Sequence, residues 1–226
     1  MKNCYYYSMG TSKIKIVFDL DGTIFSSSDI LEPSYSSVIQ RCNSGWNTSY
    51  LIPSAQKIIS LVGRPGKEII AALFPQMTLE QQKIISDSVL VELIRRIRNR
   101  EGKIFPDVPS VLKKLQDAGF TLFIVSNCRR AYLEAILETY KLEKFFFSAL
   151  CNEDDPSAGK AGLLKKVLNK SKGVMIGDRA SDGEAARFAS VPWIGCAFGH
   201  ASSELQKADA IIHSFSELPE AIGLVI

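Results

Sequence analysis

Two aspartates one residue apart, Asp19 and Asp21 in the run DLDGT, follow an apolar stretch directly. Carboxylates this close repel one another and need a cation or a shared proton. A magnesium ion would neutralise both and draw in a phosphate group. Gly22 permits the sharp turn that must follow, and Thr23 closes the same loop. Aspartate and glycine are also ordinary turn residues after strands, so the loop alone admits a purely structural reading.

Three later stretches supply compatible chemistry. VSN brings the Ser126 hydroxyl, Asn127 and backbone N–H groups suited to a phosphate oxygen. Lys160 offers an ammonium to a phosphate or to the aspartate pair. GDRASD carries Asp178 and Asp182 four residues apart. Taken singly, Ser126 serves as well as a helix cap, Lys160 as a solvated surface charge, and GDRASD as a capping turn.

The elements that must position these residues are legible as runs and periods. Residues 13–20 (KIKIVFDL) read as a buried strand, and 121–126, 145–150, 173–178 and 193–198 have the same character, with 208–213 as a sixth. Helical patterns lie between them: 107–120 with Pro109 in its first turn and Gly119 as its stop, then 130–140 and 161–168. From residue 106 onward helix and strand alternate, which predicts a parallel sheet covered by helices. Asp19, Ser126, Lys160 and Asp178 then all fall at or after strand ends, where open α/β sheets place their ligands.

Residues 27–104 break this rhythm. They hold no convincing strand but several helical stretches, at 34–41, 53–62, after Pro65, and a long one from Thr78 that opens with Gln81 at capping-box spacing. A helical module therefore interrupts the chain directly after the first strand. The domain expectation is a Rossmann-like α/β core of residues 1–26 and 105–226, three layers deep with a parallel sheet, plus an inserted all-helical cap of residues 27–104.

Composition narrows the partners. With 46% hydrophobic and 23% charged residues and a formal charge of +3, the 226-residue chain reads as an ordinary globular protein with no electrostatic bias toward nucleic acid. No apolar run reaches a bilayer-spanning length, and the N-terminal residues show no secretory apolar segment. The five scattered cysteines form no CxxC pair, which favours a reducing cytoplasm, and the two histidines make a histidine-rich metal cage implausible. Any metal is expected to be hard and held by oxygen. RRIRNR (95–100) reads as the solvated end of a helix and Tyr5–Tyr7 as a packing cluster. Cys128 reads as an inert thiol, and His200 and His213 as structural.

DLDGT, VSN, Lys160 and GDRASD, in this order and over almost the whole chain, resemble the haloacid dehalogenase-like (HAD) superfamily. The helical insert resembles its type-1 cap. GRPGKEIIAALF, FPDVPSVLKKLQDAGF and IGDRASDGEAARFA are similar to the phosphoglycolate phosphatase-like branch. The resemblance implies a magnesium-dependent phosphatase for small phosphorylated metabolites such as phosphoglycolate-like compounds or sugar phosphates, acting as a monomer or homodimer without nucleic-acid or membrane partners. It implies Asp19 as nucleophile and Asp21 as general acid and base, and places Gly22, Thr23, Ser126, Asn127 and Lys160 around the phosphoryl group. Magnesium would lie between the Asp19 carboxylate, the Asp21 backbone carbonyl and Asp178, with Asp182 beside or behind it. Arg64, in the cap loop GRPG, is the candidate for substrate specificity. Lys160 is followed by Ala161 where many relatives carry proline. Asp21 argues against a dehalogenase, because departing halide needs no proton. A phosphomutase of the β-phosphoglucomutase type and a non-catalytic phospholigand-binding protein are the two alternatives.

Overall fold

Eight strands and nine α-helices fold the described part of the chain, residues 14–226 of a computed structural model. The expected packing of Tyr5–Tyr7 lies outside the described residues. The strands are β1 (Lys15–Phe18), β2 (Phe25–Ser26), β3 (Lys103–Ile104), β4 (Thr121–Ser126), β5 (Ser148–Cys151), β6 (Gly173–Gly177), β7 (Trp193–Cys196) and β8 (Ala210–Ile212). Six of them form one sheet in the order β5-β4-β1-β6-β7-β8, and every pairing in it is parallel. The chain leaves β1 toward β4 on one side and returns to β6 on the other, so a cleft opens at the carboxyl end of β1.

Side-chain alternation along β1 fixes the direction of its terminal acid. Ile16 and Phe18 pack with α5 (Val108–Asp117), α6 (Arg130–Tyr140) and α9 (Leu218–Val225) on one face. Val17 packs with α7 (Gly159–Leu168) and α8 (Ala180–Ala189) on the other. Asp19 shares the parity of Val17, so it turns toward the face that carries Lys160 and Asp182. The same period holds in β6, where Met175 faces α7 and α8. Gly177, two residues on, faces them as well, and a Cβ there would lie 2.2 Å from the Asp182 carboxyl carbon. The three layers and parallel sheet agree with the Rossmann-like α/β expectation.

Four helices lie between β2 and β3: α1 (Ser28–Trp46), α2 (Ala55–Ile59), α3 (Gly66–Leu73) and α4 (Leu79–Arg98). The capping box of Thr78 and Gln81 forms as read, with both reciprocal hydrogen bonds present. Helix α1 begins six residues before the expected 34, and Pro33 lies inside it. Its opening turn is held by the Ser27 carbonyl, which accepts from Ile30 and Leu31 N–H, and by burial of both side chains. The 53–62 pattern shortens to α2 and a turn in which Gly63 has φ +95°.

Two strand readings also change. Glu143–Phe145 form a 3-10 turn, and β5 starts only at Ser148, because Phe145 and Phe146 pack inward instead of pairing; Phe146 lies edge-on to Phe18. The insert is not free of strand, since Lys103–Ile104 pair antiparallel with Phe25–Ser26 where the chain enters and leaves it. Gly102 allows this crossing, as a Cβ there would sit 2.3 Å from the Phe25 ring.

Candidate active site

Four stretches far apart in sequence meet at the carboxyl edge of β1 and β6. Asp19 (1% exposed), Asp178 (0%) and Asp182 (0%) bring carboxylate oxygens within 4.8 Å of one another. Lys160 is buried beside them, donating to Asp19 Oδ1 at 2.7 Å and to Asp182 Oδ1 at 2.5 Å. Burial by itself would push the Lys160 ammonium down, but the Asp182 and Asp19 carboxylates more than offset it and hold its pKa above the usual lysine range. Asp182 Oδ2 also accepts from the Arg179 N–H at 3.0 Å, so both its oxygens are engaged at the start of α8.

Asp178 is differently placed. Its Oδ2 accepts from the His200 backbone N–H at 2.7 Å, while Oδ1 is buried without a hydrogen-bond partner. Burial first, then the charges of Asp182 and Asp19, push its carboxyl well above the usual carboxylate range. Gly22 and Gly199 wall it in: a Cβ at Gly22 would lie 2.2 Å from Asp178 Oδ2, and one at Gly199 2.3 Å from the Asp178 Cβ. Three buried carboxylates, once ionised, would carry two negative charges more than the single ammonium balances, which is the charge of one divalent cation. The donors are all hard oxygens, and the orphaned Asp178 Oδ1 awaits a partner, so the residues present fit such an ion.

Asp21 lines, together with Asp19 and Ser126, a cavity between the sheet and the inserted helices. The Tyr132 hydroxyl donates to Asp21 Oδ1 at 2.8 Å. Burial pushes the Asp21 carboxyl up to about 6, against the pull of that hydrogen bond and with help from the Asp19 charge. Two adjacent aspartates are thus separated in role by surroundings, one locked in an ion pair and one near its titration point at neutral pH.

The family profile described as haloacid dehalogenase-like hydrolase matches residues 16–196, most of the chain and all four stretches of the site. The chain belongs to the haloacid dehalogenase-like hydrolases. It is 28% identical over 219 residues to a phosphoglycolate phosphatase of Caulobacter vibrioides, covering 91% of this chain and 89% of that one. It is 25% identical over 224 residues to a phosphoglycolate phosphatase of Vibrio parahaemolyticus, covering 92% and 96%. A crystal structure described as a predicted phosphoglycolate phosphatase from Haemophilus somnus superposes with a TM-score of 0.81 at 20% identity, covering 94% of this chain and 100% of that one. This last likeness is one of fold.

The remaining candidates in this haloacid dehalogenase-like hydrolase fall into two groups. Ser126 is buried at the cavity floor and Arg64 is exposed at its edge; both line it. Thr23 and Asn127 do not. Thr23 is fully buried with Oγ1 unpartnered, and the Asn127 amide donates to the Gly63 carbonyl in the inserted module at 2.8 Å. Arg179, inside GDRASD but unassigned from sequence, reaches the same turn through the Ile59 carbonyl at 2.5 Å and pairs with Glu204 at 3.0 Å. The loops that follow β4 and β6 therefore hold the helical insert directly.

Tyr132 and the His200 backbone also escaped the sequence reading; neither carries a local signal, since one sits on an ordinary apolar helix face and the other acts through its main chain. RRIRNR behaves as read: Arg95 and Arg96 pair with Glu92 and Glu101. Trp46 packs edge-on against Tyr50 and does not reach the cavity. Burial pushes the Cys128 thiol well up, in keeping with an unreactive side chain. Among the described residues no helix is long and apolar enough to cross a membrane.

Two measurements follow from the electrostatics. Asp21 and Asp178 have folded-state pKa values above the unfolded value, so the folded state holds protons that the unfolded chain releases. The Asp21 contribution to stability is complete below about pH 4 and is lost as pH rises through about 6, while that of Asp178, pushed well above the usual carboxylate range, lasts to higher pH. Without metal, the melting-temperature advantage of wild type over Asp21→Asn is expected to be larger at pH 5 than at pH 7.5, a comparison in which His200, held down to about 4 by burial and opposing the trend, is common to both proteins. Magnesium at about 100 times its Kd should add about 2.7 kcal/mol at pH 7.5, a rise of about 5–10 °C by calorimetry. Gly22→Ala combines a φ of +79° with the clash on Asp178. It is expected to cost about 1–3 kcal/mol in a urea titration and to abolish the magnesium-dependent rise.

Proposed function

We infer that the protein is a magnesium-dependent phosphatase of small phosphomonoesters. The observation that carries this reading is the division of labour between neighbours: Asp19 buried against Lys160 and beside Asp178, and Asp21 raised toward neutrality on the cavity side.

Asp19 attacks phosphorus in line, a P–O bond forms to its carboxylate, and the bond to the leaving oxygen breaks. The departing alkoxide takes the Asp21 proton, which spares the reaction a strongly basic leaving group. Asp21, now charged, takes a proton from water as that water attacks the phosphorus, freeing Asp19 and inorganic phosphate. Ser126 and Lys160 meet the phosphoryl oxygens, with Lys160 contributing charge where it develops. Asp19 and Asp178, with the Asp21 carbonyl and Asp182, would hold magnesium, which would supply further neutralisation of the phosphoryl oxygens. Gly22 keeps the loop close to Asp178, and Tyr132 fixes the Asp21 carboxyl toward the substrate.

In this reading residues 1–26 and 105–226 form the catalytic unit and 27–104 the cap, which opens on the β2–β3 crossing and closes to exclude water. The phosphoglycolate phosphatases named above support phosphomonoester chemistry. The test is phosphate release with magnesium over a metabolite panel, on wild type and Asp21→Asn. The variant is expected to lose about 10²–10⁴-fold on alkyl phosphates. The initial burst of p-nitrophenolate from p-nitrophenyl phosphate should change far less, because that leaving group needs no proton. Equal losses in both would remove the acid role from Asp21, and an isomerised sugar phosphate in place of free phosphate would make the enzyme a mutase.

A further inference from the structure

The cavity over Asp19 has a charged floor and apolar walls. Its volume is about 110 Å³. Leu31 and Tyr35 enter from α1, Ile70 from α3, and Val89 and Leu93 from α4, each no more than 9% exposed. Polar chemistry on this side is sparse. Ser27 contributes a buried hydroxyl without a partner, Ser86 a neutral hydroxyl, and burial keeps the Tyr35 phenol protonated. Arg129 reaches the cavity with its charge already engaged by Asp87 at 2.7 Å and Glu153 at 3.1 Å. Arg64 lies at the solvent-exposed rim.

A leaving group that carries a carboxylate or a polyhydroxylated chain, departing from phosphorus on the side away from Asp19, would surrender its water against Leu31, Ile70, Val89 and Leu93 and recover few hydrogen bonds. An apolar group in the same place loses water favourably. The same space must also hold the phosphoryl group against Asp19 and Ser126, and it is smaller than the roughly 150 Å³ cavity that admits benzene, so the group it takes is compact.

We propose that the preferred substrates are phosphomonoesters of short or branched alkyl alcohols of about three to five carbons, with phosphoglycolate and sugar phosphates poorly used. This rests on the phosphatase reading and adds to it the class of the leaving group. The same walls predict the size limit: each methylene buried is worth a fixed factor until the cavity is full.

The experiment is a series of methyl, ethyl, propyl, butyl, isobutyl, hexyl and octyl phosphates, alcohols of nearly equal acidity, with magnesium at fixed pH. Phosphoglycolate, glucose 6-phosphate and p-nitrophenyl phosphate are run beside them. kcat/KM is expected to rise about fourfold per methylene up to about four or five carbons and then level or fall. Phosphoglycolate and glucose 6-phosphate should lie at least about 30-fold below butyl phosphate. A flat series, or either polar ester matching butyl phosphate, overturns the apolar assignment and leaves the phosphatase reading intact. Absence of phosphate release from every ester, p-nitrophenyl phosphate included, overturns that reading and this one with it.

Discussion

Asp19→Asn is expected to lower kcat by about 10⁵-fold while leaving the fold intact, because it removes the attacking oxygen and little else. The amide has the shape of the carboxylate but cannot displace an alkoxide from phosphorus. Asp19 is 1% exposed and crowded by Asp178 and Asp182, so neutralising it relieves repulsion among three buried carboxyl groups. Lys160 keeps Asp182 as a partner at 2.5 Å. The melting temperature without metal should therefore equal or exceed that of wild type, even as the activity disappears. Acid-quenched wild type mixed with substrate should carry an acyl-phosphate, which the variant cannot form. Activity within tenfold of wild type would falsify the nucleophile assignment.

Lys160→Met is expected to damage both stability and rate. Among the described residues Lys160 is the cation paired with Asp19 and Asp182, and its side chain is 5% exposed. Removing one partner of a buried ion pair costs about 3–5 kcal/mol, since the remaining charges stay buried without compensation. For a chain of this size that lowers the melting temperature by about 6–20 °C. kcat should fall by about 10²–10³-fold through loss of charge stabilisation at the phosphoryl oxygens. The double variant Lys160→Met with Asp182→Asn separates the two effects: stability should recover by about half or more while the rate does not. If the single variant keeps wild-type stability, the buried ion pair is not holding the site together.

Much of this arrangement could be read without coordinates, and the reason is local. A strand buried on both faces must be a continuous apolar run, so KIKIVFDL announces itself, and the acid that ends it stands where such sheets bind ligands. Strand parity then sets the face to which Asp19 turns. Thr78 and Gln81 satisfy each other within one helical turn, which makes the start of α4 a matter of a few residues. Helix α1 shows the limit of such reasoning: Pro33 normally begins a helix, yet here burial of Ile30 and Leu31 adds turns before it.

The sequence by itself determined the four reactive stretches, their order along a parallel sheet and the helical insert after the first strand. Only the tertiary structure decided which charges are paired, which are stranded, and what lies over them. Asp178 and Asp182 are four residues apart in one motif, yet Asp182 is neutralised by Lys160 while Asp178 keeps an unpartnered oxygen. Tyr132 reaches Asp21 from 111 residues away. The apolar walls of the cavity come from helices whose buried faces look, in sequence, like any other core. Charge compensation and burial depend on distances between segments remote in the chain, and no period or motif within one segment encodes them.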